Sequence, residues 1–197
     1  TASAALVQQK TASGTGTSLA VTLTTAPANG NALILSVNSA AGHPTSVSGG
    51  GVTWVKRSSS QAHEYSSVWA GFGASSGGAT VTINFPSGAA VASLSEWSGV
   101  VSLDAAASFN GTASPVGTAS VTTTQANDLV FASASTHALT IGAPTGSFTA
   151  LTGQALAGND IEVSQAYRLA SSAGAYSTTW TQSSGGGWDT QILAFKT

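Results

Sequence analysis

Cysteine and methionine are absent from this chain. Without cysteine there is no disulfide, no thiolate metal site and no thiol nucleophile. This does not decide the compartment, because large secreted sandwiches do without disulfides. Charge is scarce as well. Asp, Glu, Lys and Arg make up 6% of the residues, against roughly 25% in typical soluble domains. The net charge is −2 and no basic stripe occurs, so nucleic acid has no electrostatic handle and is not expected as a partner. No apolar run approaches the ~18 residues that a membrane span needs. No segment carries a 3.6-residue apolar stripe, and abundant Gly, Thr, Ser and Val disfavour helix. No initiator methionine stands at position 1. Removal of a signal peptide, or of a Met before the small residue Thr1, is expected, although neither signal is visible.

What the chain has is alternation. Hydrophobic residues make up 42% of its 197 positions, far too many for a disordered chain. Leu19, Val21 and Leu23 alternate with small or hydroxylated residues, as do Val81, Ile83 and Phe85. This is the period of a strand with one wet face. Turn chemistry recurs about every ten residues, as at Pro27-Ala28-Asn29-Gly30, Gly49-Gly50-Gly51 and Pro86-Ser87-Gly88. Strands are expected at Ala4–Lys10, Leu19–Thr24, Leu33–Val37, Val52–Val55, Glu64–Phe72, Thr80–Phe85 and Ala90–Val100. Thr11–Ser18 is expected to turn, and the polar run Lys56–His63 to be exposed.

The second half repeats this order. Ala90–Val100 is matched by Trp188–Phe195, with Leu94 over Ile192 and Trp97 over Phe195, an offset of 98. Asn31–Leu35 is matched by Asn127–Phe131 at 96, and His63–Phe72 by Ile161–Ala170 at 98. The expected fold is an all-β, jelly-roll-like sandwich with internal pseudo-twofold duplication. Residues 1–197 then form a single sandwich built from two repeats, about 1–100 and 101–197. The rival organisation is two tandem small sandwiches. Many short strands with frequent turns suit either.

The duplication assigns faces. Trp69 aligns with Tyr167 and both are expected in the core. Glu64 aligns with Glu162 and both are expected outside. Six of the twelve charged residues, Lys56, Arg57, Glu64, Asp160, Glu162 and Arg168, fall in two equivalent windows. That is either a polar binding face, with His63 and Tyr65 adding donors and a ring, or a solvated face that discourages edge pairing. Trp54 and Trp188 each follow a triple-glycine loop. An indole there either accepts the apolar face of a sugar or caps the core. Tyr65 and Trp188 have Val163 and Ala90 as counterparts, so they differ between the repeats, where a single site can arise. The candidate ligand-binding residues are therefore Trp54, His63, Glu64, Tyr65 and Trp188.

No catalytic set emerges. Glu96 shares parity with Ala92 and Leu94, so it should point inward. A glycosidase needs a second carboxylate at a set distance, and nothing in the spacing selects Asp104 or Asp189. The chain has no Gly-x-Ser-x-Gly elbow and no closely spaced pair among His43, His63 and His137. No cofactor is expected beyond Ca²⁺, for which Asn127-Asp128 or Asn159-Asp160 are the candidate positions; the same residues are ordinary in turns. Asn110-Gly111-Thr112 fits a glycosylation sequon.

The strands Gly30-Asn31-Ala32-Leu33 and Glu96-Trp97-Ser98-Gly99 resemble the G-N-x-L and E-aromatic-S-G strands of β-sandwich domains from bacterial extracellular and phage-associated proteins. The resemblance spans most of the chain. It implies a jelly-roll-like sandwich serving in attachment, sugar binding or fibre building, and brings no catalytic residues with it. The expected function is a non-catalytic, extracellular or cell-surface module that binds carbohydrate (a polysaccharide or glycan) or mediates attachment. The alternative is a self-associating structural subunit of an extracellular filament or a virion.

Overall fold

The computed structural model describes residues 3–75, 77–137, 140–183 and 185–197. It is all-β, and the described residues contain no α-helix. The first half holds β1 (Ala5–Thr22), β2 (Ala32–Ser39), β3 (Ser46–Gly49), β4 (Val55–Ser60), β5 (Tyr65–Gly71) and β6 (Thr80–Ser98). The second half opens with β7 (Ser102–Gly111), β8 (Val116–Gly117), β9 (Val121–Thr123), β10 (Leu129–His137) and β11 (Ile141–Pro144). It continues with β12 (Thr149–Ala150), β13 (Gln154–Leu156), β14 (Ile161–Leu169), β15 (Gly174–Tyr176), β16 (Thr179–Gln182) and β17 (Trp188–Lys196).

One antiparallel sheet runs β1-β6-β2-β5-β4, and another runs β7-β17-β10-β14-β12, with β13 also on β14. Position by position, the two orders correspond. These sheets pack face to face, β6 against β14 and β5 against β17, with β2 meeting β10 in the middle. Each half then covers the outer face of its own sheet. In the first half this cover is β3 with the far ends of β1 and β6. In the second it is the small sheets β11-β16-β8 and β15-β9.

The cover explains two departures from expectation. Thr11–Ser18 and Pro86–Gly88 are not turns between strands. Each is a bend inside one long strand, and Gly16 lies opposite Gly88 where the β1–β6 register shifts. Small residues let a paired ribbon bend there. A Cβ on Gly88 would stand 2.6 Å from that of Ala41. Beyond the bend, Leu19, Val21, Val81, Ile83 and Phe85 turn back over Leu33, Leu35, Val37 and Leu94 as the first half's core. A third departure is the strand expected at Val52–Val55: it begins only at Val55 and runs through the polar stretch to Ser60 as edge strand β4, paired with β5.

Four apolar clusters result: one inside each half, and two between the large sheets. The third, and larger of these two, joins Ile34, Val68 and Trp97 to Phe131, Leu193 and Phe195. The fourth sets Ala89 and Val91 on β6 against Ile161 and Val163 on β14. Beside them the interface carries polar contacts. Ser66 bonds Ser135 (2.7 Å) and Gln191 (2.8 Å), and Ser93 donates to Gln165 (2.9 Å). The hydroxylated face of the central strands is therefore buried rather than wet. β2 is buried at all eight positions. Strands covered on both faces need little charge, which accounts for the composition.

The ladders also correct the face assignment. The row Trp69–Leu35–Leu94 in the first half answers Ala166–Ala132–Ile192 in the second. Trp69 thus corresponds to Ala166, one residue away from the expected Tyr167. A one-residue slip exchanges faces. Trp69 packs into the first half's own core, whereas Tyr167 meets Trp97 edge-on between the sheets at 4.9 Å. Glu96 does point inward, fully buried. Glu64, expected outside, is 5% exposed.

Candidate functional site

The chain between β4 and β5 folds onto one buried carboxylate. Asp189, on β17, accepts hydrogen bonds from the Ser60 hydroxyl and from the amides of Ala62 (3.1 Å), His63 (2.8 Å) and Glu64 (2.7 Å). Gly187 leaves room for the His63 ring, which a Cβ would meet at 2.6 Å. With the loop held in this way, His63, Glu64 and Tyr65 line a crevice of about 180 Å³ with Ser39, Ala40 and His137. It lies where the ends of β2, β5 and β10 come together.

Within it, Glu64 Oε1 stands 3.5 Å from His137 Nδ1, with the glutamate side chain buried and the imidazole exposed. Burial pushes the Glu64 carboxyl up to about 7; Asn38 and His137 pull it down, and Asp189 raises it further. Tyr65 is 38% exposed, and the His43 ring meets it edge-on at 5.5 Å. Burial and Lys56 hold His43 below the usual imidazole range. The crevice thus offers an accessible phenol ring beside a carboxyl and two imidazoles.

Of the five residues expected at the site, His63, Glu64 and Tyr65 come together here. Trp54 and Trp188 do not. The Trp54 indole donates to the Gly49 carbonyl (2.9 Å) and packs on the first half's core. Gly49, Gly50 and Gly51 all have positive φ, so the loop before it is a tight turn with defined geometry. Trp188 is 4% exposed; its indole donates to the Ala113 carbonyl (2.9 Å) and its ring leans on Phe109. Both indoles are anchored by their N–H groups, and Trp188 has no free face to offer a sugar. Among the described residues no three His, Asp or Glu side chains gather as a metal site. Asp160 takes a left-handed conformation after the single 3₁₀ turn, while Asp128 is fully buried.

A second, larger concavity of about 440 Å³ lies in the other half. Its floor is β14, and its walls are β11 and β16 on one side and β12 and β13 on the other. Beside it on the same face, Ala166 and Ala132 are packed in the second half's core. Trp180 enters from the covering layer and is itself 1% exposed, leaving the cleft at the rim. Glu162 and Trp180 were visible in the sequence, but nothing there announced a cleft.

No family model, no curated protein and no solved structure matches the chain.

Proposed function

We propose that this protein is a non-catalytic, secreted or surface module that binds carbohydrate in the crevice at Glu64, Tyr65 and His137. The observation that carries the reading is the partly exposed Tyr65 ring beside buried Glu64 and exposed His137. A sugar presents an apolar face to an aromatic ring and hydroxyls to neighbouring acceptors and donors, and this pairing needs no net charge. Absence of catalysis is part of the proposal. It is supported by Asp189, whose two oxygens are both engaged by loop donors. That leaves Glu64 without a free second carboxylate for glycoside hydrolysis.

Binding to a panel of immobilised polysaccharides tests this. Tyr65→Ala should weaken retention about tenfold, the upper range for an aromatic contact, and Glu64→Gln should weaken it too. Far-UV circular dichroism should stay unchanged in both. Undiminished retention in both variants would remove this crevice as the site.

A second reading, a self-associating filament or virion subunit, is favoured by β1. This strand is 18 residues long, pairs on one side only, with β6, and carries Lys10 as its single charge. Long edges with so little charge invite pairing with another copy. Mass photometry separates the two: a monomer supports the binding module, and higher assemblies the structural subunit.

A further inference from the structure

We propose that the cleft of the second half is a separate binding site for a small organic cation, an ammonium group on a compact apolar body, with Glu162 as its counter-ion. This goes beyond carbohydrate binding and uses none of the crevice residues.

A cleft of about 440 Å³ falls within the ~300–1,000 Å³ of small-molecule sites. The first half's outer face carries the row Trp69–Leu35–Leu94, and the second half's carries Ala166–Ala132–Ile192, fully buried beside the cleft. In the next row but one, Glu162–Thr136–Trp188 stands where the first half has Tyr65–Ser39–Ala90. A carboxylate on the cleft's lining therefore stands in the row position where the first half has the Tyr65 phenol.

The lining then selects the ligand. Ile141, Leu151 and Trp180 give apolar walls, and Gln154, Glu162 and Ser164 give polar ones. Glu162 accepts hydrogen bonds from the Ser164 hydroxyl (3.0 Å) and the Ile141 amide. These hold the carboxylate in place without neutralising it. Among the described residues the carboxylate contacts with a basic side chain are Glu64–His137 and Asp104–Lys196, neither of which involves Glu162. A half-buried carboxylate with fixed orientation and no cation is costly. Burial accordingly holds the Glu162 carboxyl above its ordinary range. An anion is repelled here, and a neutral ligand leaves the charge unpaired. An ammonium pairs it while its hydrocarbon part covers Ile141 and Leu151.

The test is amide NMR of the full chain titrated with 2-phenylethylamine and, separately, with 2-phenylethanol. The two differ mainly in the charged head. The amine should shift Ile141, Gly142, Gly153, Ser164 and the Trp180 indole, and bind at least about tenfold tighter than the alcohol, the range for a hydrogen bond to a charged group. Glu162→Gln should remove that preference, and Tyr65→Ala should leave it intact. Equal affinity for the amine and the alcohol in the unmodified protein would overturn the proposal, as would shifts lying outside the cleft. The comparison in the unmodified protein stands even if Glu162→Gln fails to fold.

Discussion

At the scale of single residues, the two halves solve one problem differently. Where β1 and β6 meet the turn before β2, Glu96 is fully buried. It accepts from the Gln8 amide, the Ala28 N–H (2.8 Å) and the Asn31 amide (2.6 Å). The second half has Asp128 in the place of Asn31, directly before β10, and it faces Asp104. Asp104 is served by the Thr124 amide (2.7 Å) and by Lys196 (3.3 Å). The Asp128 oxygens are buried with no close hydrogen-bond partner by geometry, while Asp104 and Gln125 lie near enough to act on the carboxyl. Burial, then Asp104, push the Asp128 carboxyl up to about 6. A pKa raised on folding means that the native state holds the proton more tightly. Its stabilisation is complete below the unfolded pKa of about 4 and is lost as pH rises through about 6. Glu64 acts in the same direction through about 7. His43, held low, opposes them with a smaller shift that gains stability as pH rises, so thermal melts should show a net decline in stability from pH 5 to about pH 7. Asp128→Asn should raise stability at pH 8, by an amount on the order of 1 kcal/mol, since an amide removes the buried charge and gives Asp104 a donor. A lower melting temperature for this variant at pH 8 would mean that Asp128 has a partner which the argument omits. The inward Glu96 was legible because parity fixes a face. The Asp104–Asp128 meeting was not, because it joins residues on separate strands through a turn.

Among elements, periodicity located the central strands of both large sheets but missed β3, the edge strand β7 and most of the covering strands, and it revealed neither continuity nor covering. Val81, Ile83 and Phe85 alternate openly, and so do Ala90, Ala92 and Leu94, yet one strand carries both sets through a bend at Gly88. Turn residues mark a change of direction; they do not reveal whether pairing continues through it. Lys56–Ser60 shows the opposite failure, because an edge strand needs no apolar residues to pair with β5. The site was half legible for a related reason. His63, Glu64 and Tyr65 are adjacent in sequence and reach the crevice together, whereas His137 arrives from β10 and the anchoring Asp189 from β17. The aligned pair Trp69 and Tyr167 failed by a single residue, enough to place them on opposite faces. That correction makes a prediction. Trp69→Ala gives the first half the small side chain that Ala166 gives the second, without a Trp180 to compensate. It should cost about 3 kcal/mol, the lower range for large-to-small changes, since Trp69 is only partly buried. Chemical denaturation measures it. A loss under about 1 kcal/mol would show that the covering layer collapses into the space.

For the whole molecule, the question is whether two similar halves behave as one. Each has its own apolar cluster, which taken alone would allow separate unfolding. The third cluster opposes this. Trp97, Ile34 and Val68 from the first half close on Phe131, Leu193 and Phe195 from the second, all buried. Beside them, Gln9 reaches from β1 to the Thr152 carbonyl (2.8 Å), and the Asn38 amide donates to the Glu162 carbonyl (3.0 Å). Separating the sheets would expose the aromatic cluster and strand the serines and glutamines of the polar layer. Buried polar groups that lose their partners cost more than the bonds alone suggest. Neither half can then unfold without uncovering the other's inner face. Equilibrium unfolding should be a single transition, with coincident curves by tryptophan fluorescence and far-UV circular dichroism. Trp97→Ala probes the junction. It removes the indole whose ring meets Tyr167 and whose N–H bonds Ser95 (2.8 Å). The expected loss is about 3 to 5 kcal/mol, and it should move both curves together. If the curves separate in the unmodified protein, the halves are independent units and the interface is only a contact. If they separate only in Trp97→Ala, the coupling runs through this one side chain, and the polar layer contributes little to it.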